Sequence, residues 1–186
     1  MRVLAIDPSL TCAGFAVLEP AQVTPARQAG ADIIAKGLLR IPPAKKGMLT
    51  RCLALQNDIH EVIGEHRPDV VVVETPLEST RGMGHKRSHT SGPVYGIAVG
   101  VAIIAAHQSG RRVLLTSASE WAKQIGAPAS GRDKYKAGRV RAVLWHFGEH
   151  HRESMGAETV AGNVADAVLM AWWAIKFGVN QKGTTA

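Results

Sequence analysis

The chain has 186 residues, of which 46% are hydrophobic and 20% are charged. This balance provides enough apolar side chains for a buried core, so it excludes a disordered chain, and the length favours a single domain. The 22 Lys and Arg residues outnumber the 15 Asp and Glu residues, and the net charge of +7 favours a polyanionic partner, most often nucleic acid, with an anionic membrane surface as the alternative.

The first part of the chain has the pattern of short antiparallel strands. Residues 2–7 form an apolar run that ends in Asp7, and residues 13–19 resume it after a break at Pro8, which predicts a hairpin. Residues 32–41 alternate loosely between apolar and polar side chains and predict a third strand.

A helix and a buried strand follow. Residues 48–66 carry apolar side chains at helical spacing. Residues 69–74 contain four consecutive valines and end in Glu74, which is typical of a central strand covered on both faces. The remaining predicted elements are a helix over 92–108, a strand over 112–116, a short helix capped by Ser117 or Ser119, and helices over 134–150 and 158–177.

This order predicts an α/β fold, a mixed five-stranded sheet flanked by helices, because the first strands form a meander and the later ones alternate with helices. We expect one domain over residues 1–180 and a tail at 181–186. The longest uncharged apolar stretch, residues 94–106, is shorter than the ~20 residues that cross a bilayer, and the start of the chain is not typical of a signal peptide. We therefore expect a cytoplasmic protein with no membrane partner.

Cysteine and tryptophan are both expected to have structural roles. Two cysteines, Cys12 and Cys52, are too few to crosslink a domain of this length, so we expect buried thiols in a reducing compartment. We expect the four tryptophans to belong to the core, namely Trp121, Trp145, Trp172 and Trp173.

Three acids follow or interrupt strongly apolar segments. Asp7 and Glu74 each end a buried strand, and Asp166 lies within the apolar run of the last helix. The carboxyl ends of adjacent parallel strands meet at one edge of a sheet, and a helix packed across that edge can add a third carboxylate. Any one of these acids alone would be explained as a solvated residue. Together they predict a Mg²⁺ site, because Mg²⁺ prefers hard oxygen ligands.

Short motifs along most of the chain resemble those of RuvC-type Holliday junction resolvases. They are, in order, VLAIDPS at 3–9 with Gly14 downstream, VVVE at 71–74, GIAVGVA at 96–102 and NVADA at 163–167, with WAKQI at 121–125 as a shorter match. Each motif alone is weak, but their common order and spacing are fairly specific. The resemblance implies a ribonuclease-H-like fold and includes bacteriophage members, which would work in the cytoplasm of the host.

The resemblance also implies a catalytic centre. By this likeness Asp7, Glu74 and Asp166 are catalytic ligands of two Mg²⁺ ions, with Mn²⁺ as an alternative metal. The family's fourth acid falls on Asn163, whose neutral amide oxygen can still act as a ligand. Lys123 is matched with a catalytic lysine near the scissile strand, where it would stabilise phosphate charge.

Basic residues flank the expected acidic edge and would contact DNA phosphates. They are Arg81, Lys86 and Arg87 in one segment and Lys134, Lys136 and Arg139 in the other. Lys136, with Lys134 as the alternative, is matched with a second lysine of the family. Either Leu77 or Met83 would wedge between bases at a branch point, and ordinary loop packing is the alternative.

The expected activity is that of a homodimer that nicks opposed strands of a four-way junction symmetrically and leaves 5′-phosphate and 3′-hydroxyl ends. Two alternatives stay open. One is a broader nuclease for flaps and forks, and the other is a non-catalytic binder of branched DNA, which the neutral Asn163 would favour. We expect dimer contacts on the helix at 48–66 or on the helix at 92–108.

Overall fold

The structure, a computed structural model, describes residues 1–23, 29–76, 91–127, 132–152 and 158–178. Within these residues one sheet has its strands in the order β3-β2-β1-β4-β5. The strands are β1 (Val3–Asp7), β2 (Gly14–Pro20), β3 (Ala31–Leu38), β4 (Val70–Thr75) and β5 (Arg112–Ser117). The first three strands are antiparallel neighbours, whereas β1, β4 and β5 run parallel. The predicted mixed five-stranded sheet is therefore confirmed.

Helices cover both faces of this sheet. They are α1 (Met48–His66), α2 (Ser91–Gln108), α3 (Ala118–Gln124), α4 (Arg132–Phe147) and α5 (Glu158–Trp173). The helices α1 and α2 contribute to the core on one face, and α3, α4 and α5 contribute to the core on the other. The fourth helix ends earlier than predicted because Gly148, with a φ of 108°, terminates it, and a 3₁₀ turn follows at Glu149–His151.

The central strands are buried on both faces, as their continuous apolar sequence predicts. In β1, Val3 and Ala5 face the core under α5, while Leu4 and Ile6 face the core under α1 and α2. The valines of β4 divide between the two cores in the same way. Because both faces are covered, the polar groups of these strands are confined to the strand ends, which is where the acids lie.

Helix α5 lies unusually close to the sheet at Gly14, the first residue of β2. A Cβ atom at Gly14 would lie 2.3 Å from the backbone carbonyl oxygen of Asn163. Only glycine permits this approach, because the neighbouring atoms belong to the helix backbone and cannot rotate away. This contact fixes the height of α5 above the strand ends and so positions the polar side chains of Asn163 and Asp166.

The tryptophans follow the prediction except at one position. Trp121, Trp172 and Trp173 are buried, but Trp145 on α4 is 79% exposed. Its position on the helix explains the difference, because Val143 and Leu144 take the inward face and Trp145 points outward.

The other structural expectations concern the cysteines and the membrane. Cys12 and Cys52 are free thiols and are half-buried rather than fully buried. Among the helices that the structure describes, none combines the length and the apolar character needed to cross a bilayer.

Candidate active site

The strand order brings Asp7 and Glu74 to one edge of the sheet. In the parallel pairing of β1 with β4, Ile6 is opposite Val73, so the two acids that follow them are neighbours. Both acids are half-buried, and burial raises the pKa of Asp7 well above its usual value, with further increases from the charges of Glu74 and Asp166. Burial likewise raises the pKa of Glu74 to about 7, and the charge of Asp166 adds to this effect.

Asp166 comes to the same place from the other direction, on the middle of α5. It is buried, and burial raises the pKa of its carboxyl group, whereas the charges of Arg139 and Lys136 oppose this shift. The structure thus brings together three acids that lie far apart in the sequence. Like charges held in a buried site favour either shared protons or a bound cation.

Trp121 holds the carboxylate of Glu74. Its indole Nε1 donates a hydrogen bond of 3.1 Å to Glu74 Oε2, and its ring is fully buried. Trp121 lies on α3, which begins with the predicted cap because Ser117 Oγ accepts a hydrogen bond from the backbone N–H of Glu120. We predicted Trp121 as a core residue, and sequence analysis missed its contact with the acid.

Arg139 requires a correction. We expected it to contact DNA from the surface, but it is only 1% exposed and its Nη1 atom forms an ion pair with Asp166 Oδ1. The guanidinium also lies over the ring of Trp121, with Cζ 4.3 Å from the ring centroid. The sequence carried a signal for this position, because Arg139 is four residues before the buried Val143 and therefore shares its helix face.

Asn163 connects three parts of the site. Its Nδ2 donates to the backbone carbonyl of Cys12 at 2.6 Å, and its Oδ1 accepts from Lys136 Nζ at 2.9 Å. The stem of Lys136 crosses α5 above Gly162, where an added Cβ atom would lie 2.6 Å from Lys136 Cδ. The amide oxygen that we expected to bind a metal is therefore engaged by a cationic side chain.

The loop between β1 and β2, which follows Asp7, is held from α1. Arg51 is buried, and its Nε donates a hydrogen bond of 2.8 Å to the carbonyl of Leu10. Ser9 Oγ accepts from the backbone N–H groups of Thr11 and Cys12 at 3.1 and 3.3 Å. The serine hydroxyl thus stabilises the turn, and Arg51 is a further supporting residue that sequence analysis missed.

The donor groups at this edge fit a divalent metal only in part. Asp7 and Glu74 are half-buried oxygen donors whose pKa values are raised mainly by burial, and carboxylate oxygens are the ligands that Mg²⁺ or Mn²⁺ prefers. Asp166 and Asn163 are instead engaged by Arg139 and Lys136. Across the described residues, no group of three or more His, Cys, Asp or Glu side chains is arranged to hold a metal ion.

The other predicted residues are less fully placed. Lys123 is exposed on α3, two residues after Trp121, and Lys136 is exposed on α4. Lys134 belongs to α4, but its side chain is outside the described part of the structure. Five predicted DNA contacts also lie outside the described residues, namely Leu77, Arg81, Met83, Lys86 and Arg87.

Comparisons with known proteins agree with this geometry, although no family model matches the chain. The chain is 28% identical to crossover junction endodeoxyribonuclease RuvC of Corynebacterium glutamicum, over 92% of this chain and 67% of the relative. It is 30% identical to the protein of the same name from Salinispora arenicola, over 87% of this chain and 84% of the relative.

A solved structure has the same fold. RuvC of T. thermophilus in complex with a Holliday junction substrate has a TM-score of 0.70 and 17% sequence identity, and the match covers 96% of this chain and 94% of that chain. The sequence matches extend over most of this chain, and the solved structure has the same fold. The strand order and the three acids at one edge of the sheet are consistent with those matches. The chain belongs to the RuvC family of crossover junction endodeoxyribonucleases.

Proposed function

We propose that the chain is a divalent-metal-dependent endonuclease that nicks four-way DNA junctions. The observation that carries this proposal is the meeting of Asp7, Glu74 and Asp166 beside Lys136 at one edge of the sheet, in a chain of the RuvC family. A relative of the same fold is bound to a Holliday junction substrate, and the net charge of +7 suits a DNA partner. As a DNA-processing enzyme it would work in the bacterial cytoplasm or, for a bacteriophage protein, in that of the host.

Asp7 and Glu74 would hold the metal, and the other residues of the site would prepare them for this role. When bound, the divalent ion supplies Lewis acidity to the scissile phosphate. The indole N–H of Trp121 orients one oxygen of Glu74 and leaves the other available. The cationic Lys136 would attract the phosphate to the acids, and Lys123 would stabilise charge that develops during cleavage. Hydrolysis would leave 5′-phosphate and 3′-hydroxyl ends.

The junction arms would bind along the basic segments. Lys136 is exposed next to the acids, and the remaining proposed phosphate contacts are Arg81, Lys86, Arg87 and Lys134. Leu77 or Met83 would insert at the branch point. If Leu77→Ala and Met83→Ala both keep the preference for four-way over linear DNA, the insertion proposal is wrong.

We also propose a homodimer, because two opposed nicks need two copies of one site. The outward face of α2 exposes Ile97 and Ile104, and Leu115 on β5 is exposed as well. Cβ atoms added at Gly96 and Gly100 would meet open space, so a second helix can approach α2 closely. The alternative face on α1 exposes Leu49 and Leu53.

Light scattering after gel filtration distinguishes the two faces. If α2 carries the dimer, Ile104→Glu gives a monomer while Leu49→Glu stays dimeric. The reverse result would assign the interface to α1, and a monomeric parent chain would refute the dimer altogether.

The decisive test of function is a nicking assay on four-way junctions, flaps, forks and linear duplex, with Mg²⁺ or Mn²⁺. We expect symmetric nicks in the four-way junction, loss of nicking in Glu74→Gln, and retained junction binding. Glu65→Gln is the matched control, because Glu65 is an exposed acid on α1 near His66. Equal rates on flaps and forks would favour the broader nuclease. Binding without nicking under all metal conditions would favour a non-catalytic binder of branched DNA.

A further inference from the structure

Two cationic side chains from α4 occupy the acidic site. Arg139 forms an ion pair with Asp166, and Lys136 donates to Asn163 and lies close enough to lower the pKa of Asp7 and of Asp166. Both cations lie on α4, which packs against α5, so the same packing that places Asp166 also places them. This arrangement was not expected from the sequence, which predicted Arg139 on the DNA-binding surface.

We propose that Arg139 and Lys136 take the place of one divalent ion, so that the site of this chain binds a single metal ion through Asp7 and Glu74. This inference rests on the proposed function and refines it. Three carboxylates and two cationic side chains leave a net formal charge of minus one. One divalent ion more than balances that charge, whereas a second would leave the buried site strongly positive.

The contacts of Arg139 explain why it would keep its place. A chain of contacts runs from Asp166 to Arg139, from Arg139 to the ring of Trp121, and from the indole N–H of Trp121 to Glu74. A metal ion at Asp166 would share that carboxylate with the guanidinium, whose Nη1 already pairs with Oδ1. A buried cation without an acid partner is strongly disfavoured, so the ion pair competes with a metal at Asp166.

Asn163 completes the same arrangement. An amide has both a donor and an acceptor, and this one uses the donor for the Cys12 carbonyl and the acceptor for Lys136. A carboxylate at this position would have no N–H group for the carbonyl. The residue therefore fixes Lys136 beside the acids, and we assign it as a positioning residue.

The test counts Mn²⁺ ions per chain by the electron paramagnetic resonance signal of free Mn²⁺ during titration. We expect one ion for the parent chain and none for Glu74→Gln. Arg139→Gln removes the buried cation and should raise the count to two or tighten binding by at least tenfold. Arg152→Gln is the matched control, because Arg152 is an exposed arginine paired with Glu149, and it should still bind one ion.

Each other outcome overturns the inference. Two ions in the parent chain, or an Arg139→Gln protein with unchanged count and affinity, would show that Arg139 does not replace a metal. The parent count decides the question even if Arg139→Gln does not fold. Nicking with two ions bound would refute this inference alone, whereas no ion bound and no nicking would refute the proposed function as well.

Discussion

Replacing Gly14 by alanine should separate α5 from the sheet and impair the site at a distance. The new Cβ atom would lie 2.3 Å from the carbonyl oxygen of Asn163, whereas ordinary contact begins near 3.4 Å, so the helix must move by about 1 Å. The opposing atoms are backbone, so no change of rotamer relieves the clash. Overpacking of this kind costs about 1–3 kcal/mol in the free energy of unfolding.

Urea denaturation followed by circular dichroism measures this cost, and Gly64→Ala is the matched control. Gly64 lies in α1, where an added Cβ atom would meet only open space, so alanine there should stabilise the protein by about 0.5–1 kcal/mol. Since α5 also carries Asp166, we expect nicking by Gly14→Ala to fall by about 100-fold, because a shift of about 1 Å in a catalytic group has effects of that size. A Gly14→Ala protein as stable and as active as the parent would refute this reasoning.

The site and its supporting contacts lead to three more expected outcomes. Without metal, the free energy of unfolding should fall as the pH rises from about 4.5 to about 7, because the folded state holds the proton of Glu74 to a higher pH than the unfolded state. Glu74→Gln should reduce this dependence on pH. Urea titrations across that pH range measure it, and a stability that rose with pH would contradict the prediction. Trp121→Ala should cost about 3–5 kcal/mol, whereas Trp145→Ala should change stability by less than about 0.5 kcal/mol, and equal effects on the denaturation midpoint would be inconsistent with their different burial. Arg51→Met should cost about 1–3 kcal/mol because it leaves the Leu10 carbonyl without its donor, which thermal unfolding would measure; an unchanged Tm would exclude a supporting role for Arg51.

The fold could be predicted because its strongest signals are local. Four consecutive valines indicate a strand covered on both faces, and the helical spacing over 48–66 matches α1. The meeting of Asp7 and Glu74 follows once β1 and β4 are taken as parallel neighbours, because parallel strands end at the same edge of a sheet. The side-chain contacts within the site could not be predicted in the same way, because they join residues that are far apart in the chain.

Arg139 and Trp145 show why the orientation of side chains on α4 was not predicted from composition. Composition alone places an arginine outside and a tryptophan inside, and α4 reverses both because its rotation over α5 is set by Val143 and Leu144. The partners of Asn163 are equally remote, since Cys12 and Lys136 both lie far before it in the sequence. A spacing rule can place Asn163 and Asp166 on one helix face, but it cannot identify what that face meets.

The two hydrogen bonds of Asn163 also constrain how this lineage can change. A mutation to aspartate exchanges the amide N–H for a second oxygen, which would then face the carbonyl of Cys12. Placing an acid at this position therefore carries an immediate penalty unless the Cys12 loop or Lys136 has already changed. Positions 136, 139 and 163 should consequently evolve as a group, with substitutions at one site acceptable only against particular residues at the other two.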